Sequence, residues 1–89
     1  MSSYFVVRRA RGPAWYAARP LREQPLWSEH AAFMDALTEE GFVVLGGPLG
    51  GNAGAMLMVD ARDEDSIRKR QAEDPWERSR QLRVECIDS

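Results

Sequence analysis

Cysteine and histidine are scarce in this 89-residue chain, which contains one of each, Cys86 and His30. A single cysteine cannot form an intrachain disulfide, and a zinc site needs several thiolate or imidazole ligands together. We therefore expect no metal site and a reducing compartment. Cys86 lies in a strand-like segment, which is typical of a buried, unreactive thiol.

Long apolar segments and an excess of one charge are also missing. No segment approaches the ~20 apolar residues needed to span a bilayer, and residues 1–9 do not resemble a signal peptide. The 12 basic and 14 acidic residues give a net charge of −2, which offers no overall attraction to nucleic acid or anionic lipid. The sequence predicts a cytoplasmic protein that binds neither nucleic acid nor membrane.

The length allows one hydrophobic core, so residues 1–89 are predicted to form a single domain. Short segments rich in β-branched and aromatic residues, or alternating between apolar and polar residues, are typical of strands. Four such segments predict strands at residues 4–9, 42–45, 55–59 and 82–87.

Two segments carry helix signals. The first helix is expected to open with Ser28 as its N-cap, to carry Glu29 in its first turn and to end at Gly41. The second begins with acidic residues at Asp63 and must end near Asp74, because Pro75 disfavours helical geometry in the residue before it. A short turn around Trp76 is expected to lead into the last strand.

Glycine and proline mark the connections. Residues 46–54 contain five glycines and one proline, and no helix follows, which favours a hairpin connection over a phosphate-binding loop. Residues 11–24 have no periodicity and predict a loop that serves either as a lid or as a mobile segment.

The order of the elements is β-α-β-β-α-β, a ferredoxin-like α+β arrangement. Two helices cover only one face of a four-stranded sheet. Yet the second and third predicted strands are apolar at every position, which is typical of burial on both faces. We therefore expect a homodimer in which a second copy covers the open face.

His30 lies on the apolar stripe of the first predicted helix, with Phe33, Met34 and Leu37 at spacings of 3, 4 and 7 residues. Desolvation or a nearby carboxylate can shift the acidity of an imidazole on such a stripe. The pattern leaves two interpretations open: a histidine packed in the core, or the acid/base group of a pocket.

The segment Asp74-Pro75-Trp76 is the second candidate. Asp74 could simply bond to the backbone of its own turn while Trp76 packs against the junction. Alternatively, its carboxylate is fixed in a rigid turn and orients an imidazole from elsewhere in the chain. The spacing between Asp74 and His30 does not decide between these interpretations.

Basic residues surround Trp15 and Tyr16 near the first strand and the following loop. They could bind an anionic substrate, or they could form a solvated surface balanced by acids elsewhere. This cluster consists of Arg8, Arg9, Arg11, Arg19 and Arg22.

Residues 30–48 resemble the signature of the YciI-like (YCII-related) family: a helix-borne histidine, a glycine, an apolar strand and a Gly-Pro turn. Asp74-Pro75-Trp76 is similar to that family's Asp-Pro-aromatic motif. The resemblance implies a dimeric α+β barrel of ferredoxin-like subunits. It also implies a His-Asp pair in a cleft, which falls on His30 and Asp74 here.

These observations lead to two hypotheses. In the first, the protein is a cofactor-independent and metal-independent enzyme in which His30 is the general acid/base and Asp74 fixes its tautomer. Its substrate would be a small cyclic or phenolic compound that undergoes elimination or isomerisation. In the second, the protein is a non-catalytic ligand-binding or accessory dimer, and His30 is a hydrogen-bonded core residue.

Overall fold

An antiparallel sheet of four strands forms the centre of the part of the chain that the computed structural model describes, residues 3–49 and 54–89. The spatial order is β2-β3-β1-β4, and every neighbouring pair is antiparallel. The strands are β1 (Ser3–Arg11), β2 (Val43–Pro48), β3 (Ala55–Ala61) and β4 (Leu82–Asp88). The described residues also form the helices α1 (Trp27–Glu39), α2 (Glu64–Gln71) and α3 (Pro75–Arg78). The predicted α+β class is confirmed, and the ferredoxin-like topology stays a prediction.

Helix α1 ends as expected but begins earlier than predicted. Gly41 follows it with φ 80°, the left-handed conformation that glycine adopts most easily. The predicted N-cap at Ser28 is wrong, because Leu26 is the N-cap residue and the amide of His30 donates to the Leu26 carbonyl at 2.9 Å. Leu26 itself is left-handed, with φ 65°. A conformation so unusual for leucine could not be expected from the sequence.

The second helical region is divided in two. Asp63 caps α2 by accepting a hydrogen bond from the Ser66 amide at 2.8 Å, and α2 ends at Gln71, earlier than the predicted end near Asp74. The predicted turn around Trp76 is the single-turn helix α3, with Asp74 as its N-cap residue and Pro75 in its first turn. Proline is favoured there because it has no N–H to leave unsatisfied.

Strand β2 continues through the glycines that were predicted to stop it. Gly46 pairs with Leu57, Gly47 with Met56, and Pro48 with Ala55. Strand β1 is likewise longer than predicted, since Arg11 still pairs with Leu82 of β4. The predicted hairpin connection between β2 and β3 is confirmed in outline, and its residues 50–53 lie outside the described residues.

The core lies between one face of the sheet and the helices. It combines inward residues of the strands with one residue each of α1 and α2: Val7, Val43, Leu57, Val59, Ala61, Leu37 and Ile67. Full burial of an aliphatic side chain contributes about 1.5–3 kcal/mol, so this cluster is the main source of stability. The opposite face of the sheet exposes Leu45, Met56 and Met58 by 68%, 43% and 39%. Burial on both faces is therefore not achieved within one chain.

The loop between β1 and α1 is held at both ends. Gly12 donates to the Gln81 carbonyl at 2.8 Å, and Ala14 donates to the Arg80 carbonyl at 3.0 Å. Near its other end, the buried Gln24 side chain donates to the carbonyls of Tyr16 and Arg19 at 2.7 and 2.9 Å. These bonds fix the position of Trp15, which lies between them.

No helix within residues 3–49 and 54–89 combines the length and the apolar character required to cross a bilayer.

Gly12→Ala tests the tight contact between this loop and Arg80, which precedes β4. A Cβ atom on Gly12 would lie 2.2 Å from the Arg80 carbonyl oxygen, whereas one on Gly47 would meet no atom within 4 Å. We expect Gly12→Ala to lower the free energy of unfolding by about 2 kcal/mol and the control Gly47→Ala to change it by less than about 0.5 kcal/mol. Urea denaturation measures both values. Equal stability of the two variants would contradict the contact.

Candidate active site

His30 and Asp74, 44 residues apart in the sequence, are in direct contact. The Nδ1 atom of His30 lies 2.9 Å from Oδ1 and 2.8 Å from Oδ2 of Asp74. An ionised carboxylate can only accept hydrogen bonds, so Nδ1 carries the proton and donates it. Neutral His30 then has its free lone pair on Nε2. The two residues that the sequence singled out are thus brought together.

Asp74 makes both of the contacts considered from the sequence: one with the backbone of its own turn and one with an imidazole. Its Oδ1 atom accepts a hydrogen bond from the Trp76 amide at 2.9 Å, which is the local capping role. Its carboxylate also binds His30, and none of its surface is exposed to solvent. Because Pro75 fixes the backbone between the carboxylate and Trp76, the turn holds Asp74 in one orientation.

Arg9 completes the surroundings of the carboxylate. Its Nη2 atom lies 2.9 Å from Asp74 Oδ2 and 3.0 Å from Glu77 Oε2. The interpretation of Arg9 as part of a solvated basic surface is wrong, because it is only 2% exposed. It follows Phe5 and Val7 on the inward face of β1, and this alternation was the signal that could have located it.

The two carboxylates around Arg9 have opposite pKa shifts. Burial alone would raise the pKa of Asp74, but the hydrogen bond from His30 and the charge of Arg9 outweigh burial and hold the pKa below its ordinary value. Burial raises the pKa of Glu77 and outweighs the opposing charge of Arg9, while the charge of Asp74 raises it further. The fold therefore favours ionised Asp74 more strongly than ionised Glu77.

Aromatic rings fix the plane of the imidazole. The rings of His30 and Trp76 are stacked with centroids 3.8 Å apart and an angle of 7° between their planes. Trp76 is held in turn by its indole N–H, which donates to the Pro25 carbonyl at 2.7 Å. Trp27 and Trp15 lie against Trp76 at centroid distances of 5.8 and 5.2 Å. The sequence predicted the packing of Trp76 at the junction but not its stacking on His30.

An open cavity of about 410 Å³ lies beside His30. Such a volume is within the range of small-molecule sites. His30 is one of the lining residues, and no described residue makes a hydrogen bond to its Nε2 atom. The lining is mainly apolar and aromatic and includes Trp15, Leu21, Trp27, His30, Met34, Val43, Leu57, Trp76 and Leu82.

The other candidate residues have separate locations. Arg11 lines the cavity and stacks on Trp15, Arg19 stacks on Tyr16, and Arg8 and Arg22 are exposed. The prediction of a buried thiol is only partly correct, since Cys86 is half-buried. Within the described ranges, no group of three or more histidine, cysteine or carboxylate side chains is arranged to hold a metal ion.

No family model and no curated protein matches this chain at a significant level. The resemblance to the YciI-like family therefore stays a prediction that depends on the motifs quoted above.

Asp74→Asn and Glu77→Gln remove one negative charge each from the same network. Asp74→Asn removes the buried negative charge that pairs with Arg9. We expect it to lower the free energy of unfolding by about 3 kcal/mol at pH 7. Glu77→Gln should change this free energy by about 1 kcal/mol or less in either direction, because it loses the pair with Arg9 but also removes a charge that the fold disfavours. Chemical denaturation of both variants and the wild type measures the difference.

The pH dependence of the same variants has a defined sign. Since the folded-state pKa of Asp74 is lowered from 3.8, its stabilisation is complete above pH 3.8 and is lost as the pH falls through the folded-state pKa. The stability gap between wild type and Asp74→Asn should therefore close in acid. The raised pKa of Glu77 acts oppositely: its stabilising effect is complete below pH 4.5 and is lost as the pH rises through the folded-state pKa. A stability difference between wild type and Asp74→Asn that stays constant down to strong acid would contradict the lowered pKa of Asp74.

Proposed function

We propose that this protein is a YciI-like, cofactor-independent and metal-independent cytoplasmic enzyme that uses His30 and Asp74 for acid/base chemistry on a small cyclic or phenolic substrate. The observation that carries the proposal is the His30–Asp74 hydrogen bond of 2.8 Å beside an open cavity of about 410 Å³. An acid/base group must contact its substrate, and the position of His30 in the cavity lining allows that contact.

His30 Nε2 is the group that moves the proton. As a base, it removes a proton from a substrate carbon, and the C–H electron pair forms a new double bond. In elimination, an anionic leaving group departs from the neighbouring carbon and the imidazolium later releases its proton to solvent. In isomerisation, the imidazolium returns the proton to a different carbon. Asp74 holds Nδ1 protonated throughout, so that Nε2 is the basic atom at the start of each cycle.

Charged groups and an aromatic ring lie around the His30–Asp74 pair. Ionised Asp74 and Glu77 outnumber the single positive charge of Arg9 by one negative charge. The Trp76 ring lies parallel to the His30 ring at a centroid distance of 3.8 Å, a position from which it can make a cation–π interaction with the imidazolium of the proposed cycle. A positioned acid/base group of this kind contributes about 10²–10⁴-fold to a rate, which suits substrates with an already acidic C–H bond.

Exchange of substrate hydrogen for deuterium from the solvent tests the activity before its product is known. The protein is incubated in D₂O with small cyclic ketones, lactones and halogenated phenolic compounds, and NMR follows deuterium uptake, isomerisation and halide loss. We expect His30→Gln to slow a protein-dependent reaction by about 10²–10⁴-fold. Asp74→Asn should slow it by a smaller factor. Exposed Lys69→Gln is the control and should react like the wild type.

A wild-type rate in His30→Gln would refute the proposal. Saturable binding of these compounds with no reaction would instead support a non-catalytic ligand-binding protein.

We further propose that the chain is a ferredoxin-like subunit of a homodimer that associates through the open sheet face. Three apolar residues support this, because Val6 and Leu45 both pair with Met58, so that they form a row across β1, β3 and β2. Leu45 and Met58 are 68% and 39% exposed in one chain. A second copy packed sheet against sheet would bury this row, as in a dimeric α+β barrel.

Met58→Lys tests the dimer, since a lysine at the centre of the row places a charge in the proposed interface. We expect the wild type to have the mass of two chains in light scattering and Met58→Lys to have the mass of one. Tyr16→Lys is the control, because Tyr16 is 52% exposed in the loop outside the sheet. A wild type that remains monomeric at every concentration would contradict the dimer.

A further inference from the structure

The lining of the cavity beside His30 has an unbalanced charge. Among the described residues, its lining contains two arginines, Arg9 and Arg11, and no carboxylate. Arg9 is already paired with Asp74 and Glu77. Arg11 forms no ion pair and no side-chain hydrogen bond with a described residue. The cavity therefore has one positive charge available to a ligand.

Arg11 is held in a defined position despite the lack of an ionic partner. Its backbone pairs with Leu82 at the end of β1, and its guanidinium carbon lies 4.6 Å from the centre of the Trp15 ring. A guanidinium on an aromatic face keeps its N–H groups free at its edge, and these match the two oxygens of a carboxylate. Because the side chain is half-buried, an ion pair formed there is stronger than one in open solvent.

The other cationic candidates are less suited to this role. Arg8 is exposed, and its strand partners Met56 and Cys86 belong to the outward face of the sheet. Arg19 lies over Tyr16, and neither residue contributes to the lining of this cavity. Arg11 is thus the arginine that combines a place in the cavity with an unused charge.

We propose that the cavity selects small organic anions, an apolar ring bearing a carboxylate or phenolate, and that Arg11 binds the anionic oxygen. This inference rests on the proposed function because it assigns the substrate class of the same site. The tryptophans and aliphatic residues would surround the ring, and the guanidinium of Arg11 would hold the charged group. Neutral and cationic analogues of the same shape would lack that contact.

Three probes with one carbon skeleton test the charge preference: cyclohexanecarboxylate, cyclohexylmethanol and cyclohexylmethylamine. All three tryptophans of the chain line the cavity, so their fluorescence reports binding directly. We expect the carboxylate to bind the wild type about tenfold or more tightly than the alcohol, since a charge-assisted hydrogen bond is gained. The amine should bind most weakly.

Arg11→Gln should remove the advantage of the carboxylate and leave the affinity for the alcohol unchanged. Unchanged alcohol binding also shows that the cavity remains folded. Arg11→Lys should retain part of the preference, because it keeps the charge but loses the planar fork. Arg8→Gln, on the same strand but on the outward face, is the matched control and should behave like the wild type.

The proposal is overturned if Arg11→Gln binds the carboxylate as the wild type does, if the three probes bind the wild type equally, or if the carboxylate causes no saturable quenching. These binding data do not depend on turnover. Loss of the preference in Arg11→Gln, together with no reaction in D₂O, would support anion binding and refute the catalytic proposal. A His30-dependent reaction, together with unchanged carboxylate affinity in Arg11→Gln, would support the catalytic proposal and refute anion binding by Arg11.

Discussion

The carboxylate of Asp74 is the constraint on which the rest of the site depends. It accepts hydrogen bonds from His30 of α1 and from the Trp76 amide of α3, and it pairs with Arg9 of β1. Three separate elements therefore meet at one buried anion. Because removal of any donor would leave charge buried without compensation, the network requires these elements to keep one arrangement. The stacking of Trp76 on His30 then follows from the same turn that supplies Asp74.

The sequence predicted the parts of this arrangement that depend on local pattern. The stripe of α1 placed His30 among apolar residues, and Gly41 marked the end of α1. Pro75 was expected to end the second helix and instead begins α3. The pairing of His30 with Asp74 was implied by the resemblance to the YciI-like family, since spacing cannot relate residues 44 positions apart. Arg9 was predicted only as a member of a basic cluster. Its burial beside Asp74 was not predicted because a charged residue in a strand is usually solvated, although its alternation with Val7 pointed inward.

Backbone details were the least accessible to sequence reasoning. Leu26 adopts the left-handed conformation that usually belongs to glycine, and this moved the start of α1 to Trp27. Strand β2 continued through Gly46 and Gly47 because β3 offers partners along its full length. In both places tertiary contacts outweighed the local preference of the residues, which short-range patterns cannot register. The exposed apolar face of the sheet differs from these two places. The strand pattern predicted burial on both faces, and the helices of one chain cover only one of them.

The loop between β1 and α1 and the segment around α3 supply different parts of the site. Trp15 and Leu21 of the cavity wall belong to this loop, whereas Asp74 and Trp76 belong to the segment around α3. The loop is tied down by backbone bonds from Gly12 and Ala14 and by the Gln24 side chain, none of which involves the buried anion. Changes of loop length or composition would therefore alter the cavity wall and leave the contacts of His30 and Asp74 in place. The shape of the cavity and the His30–Asp74 pair are thus set by separate segments of the chain.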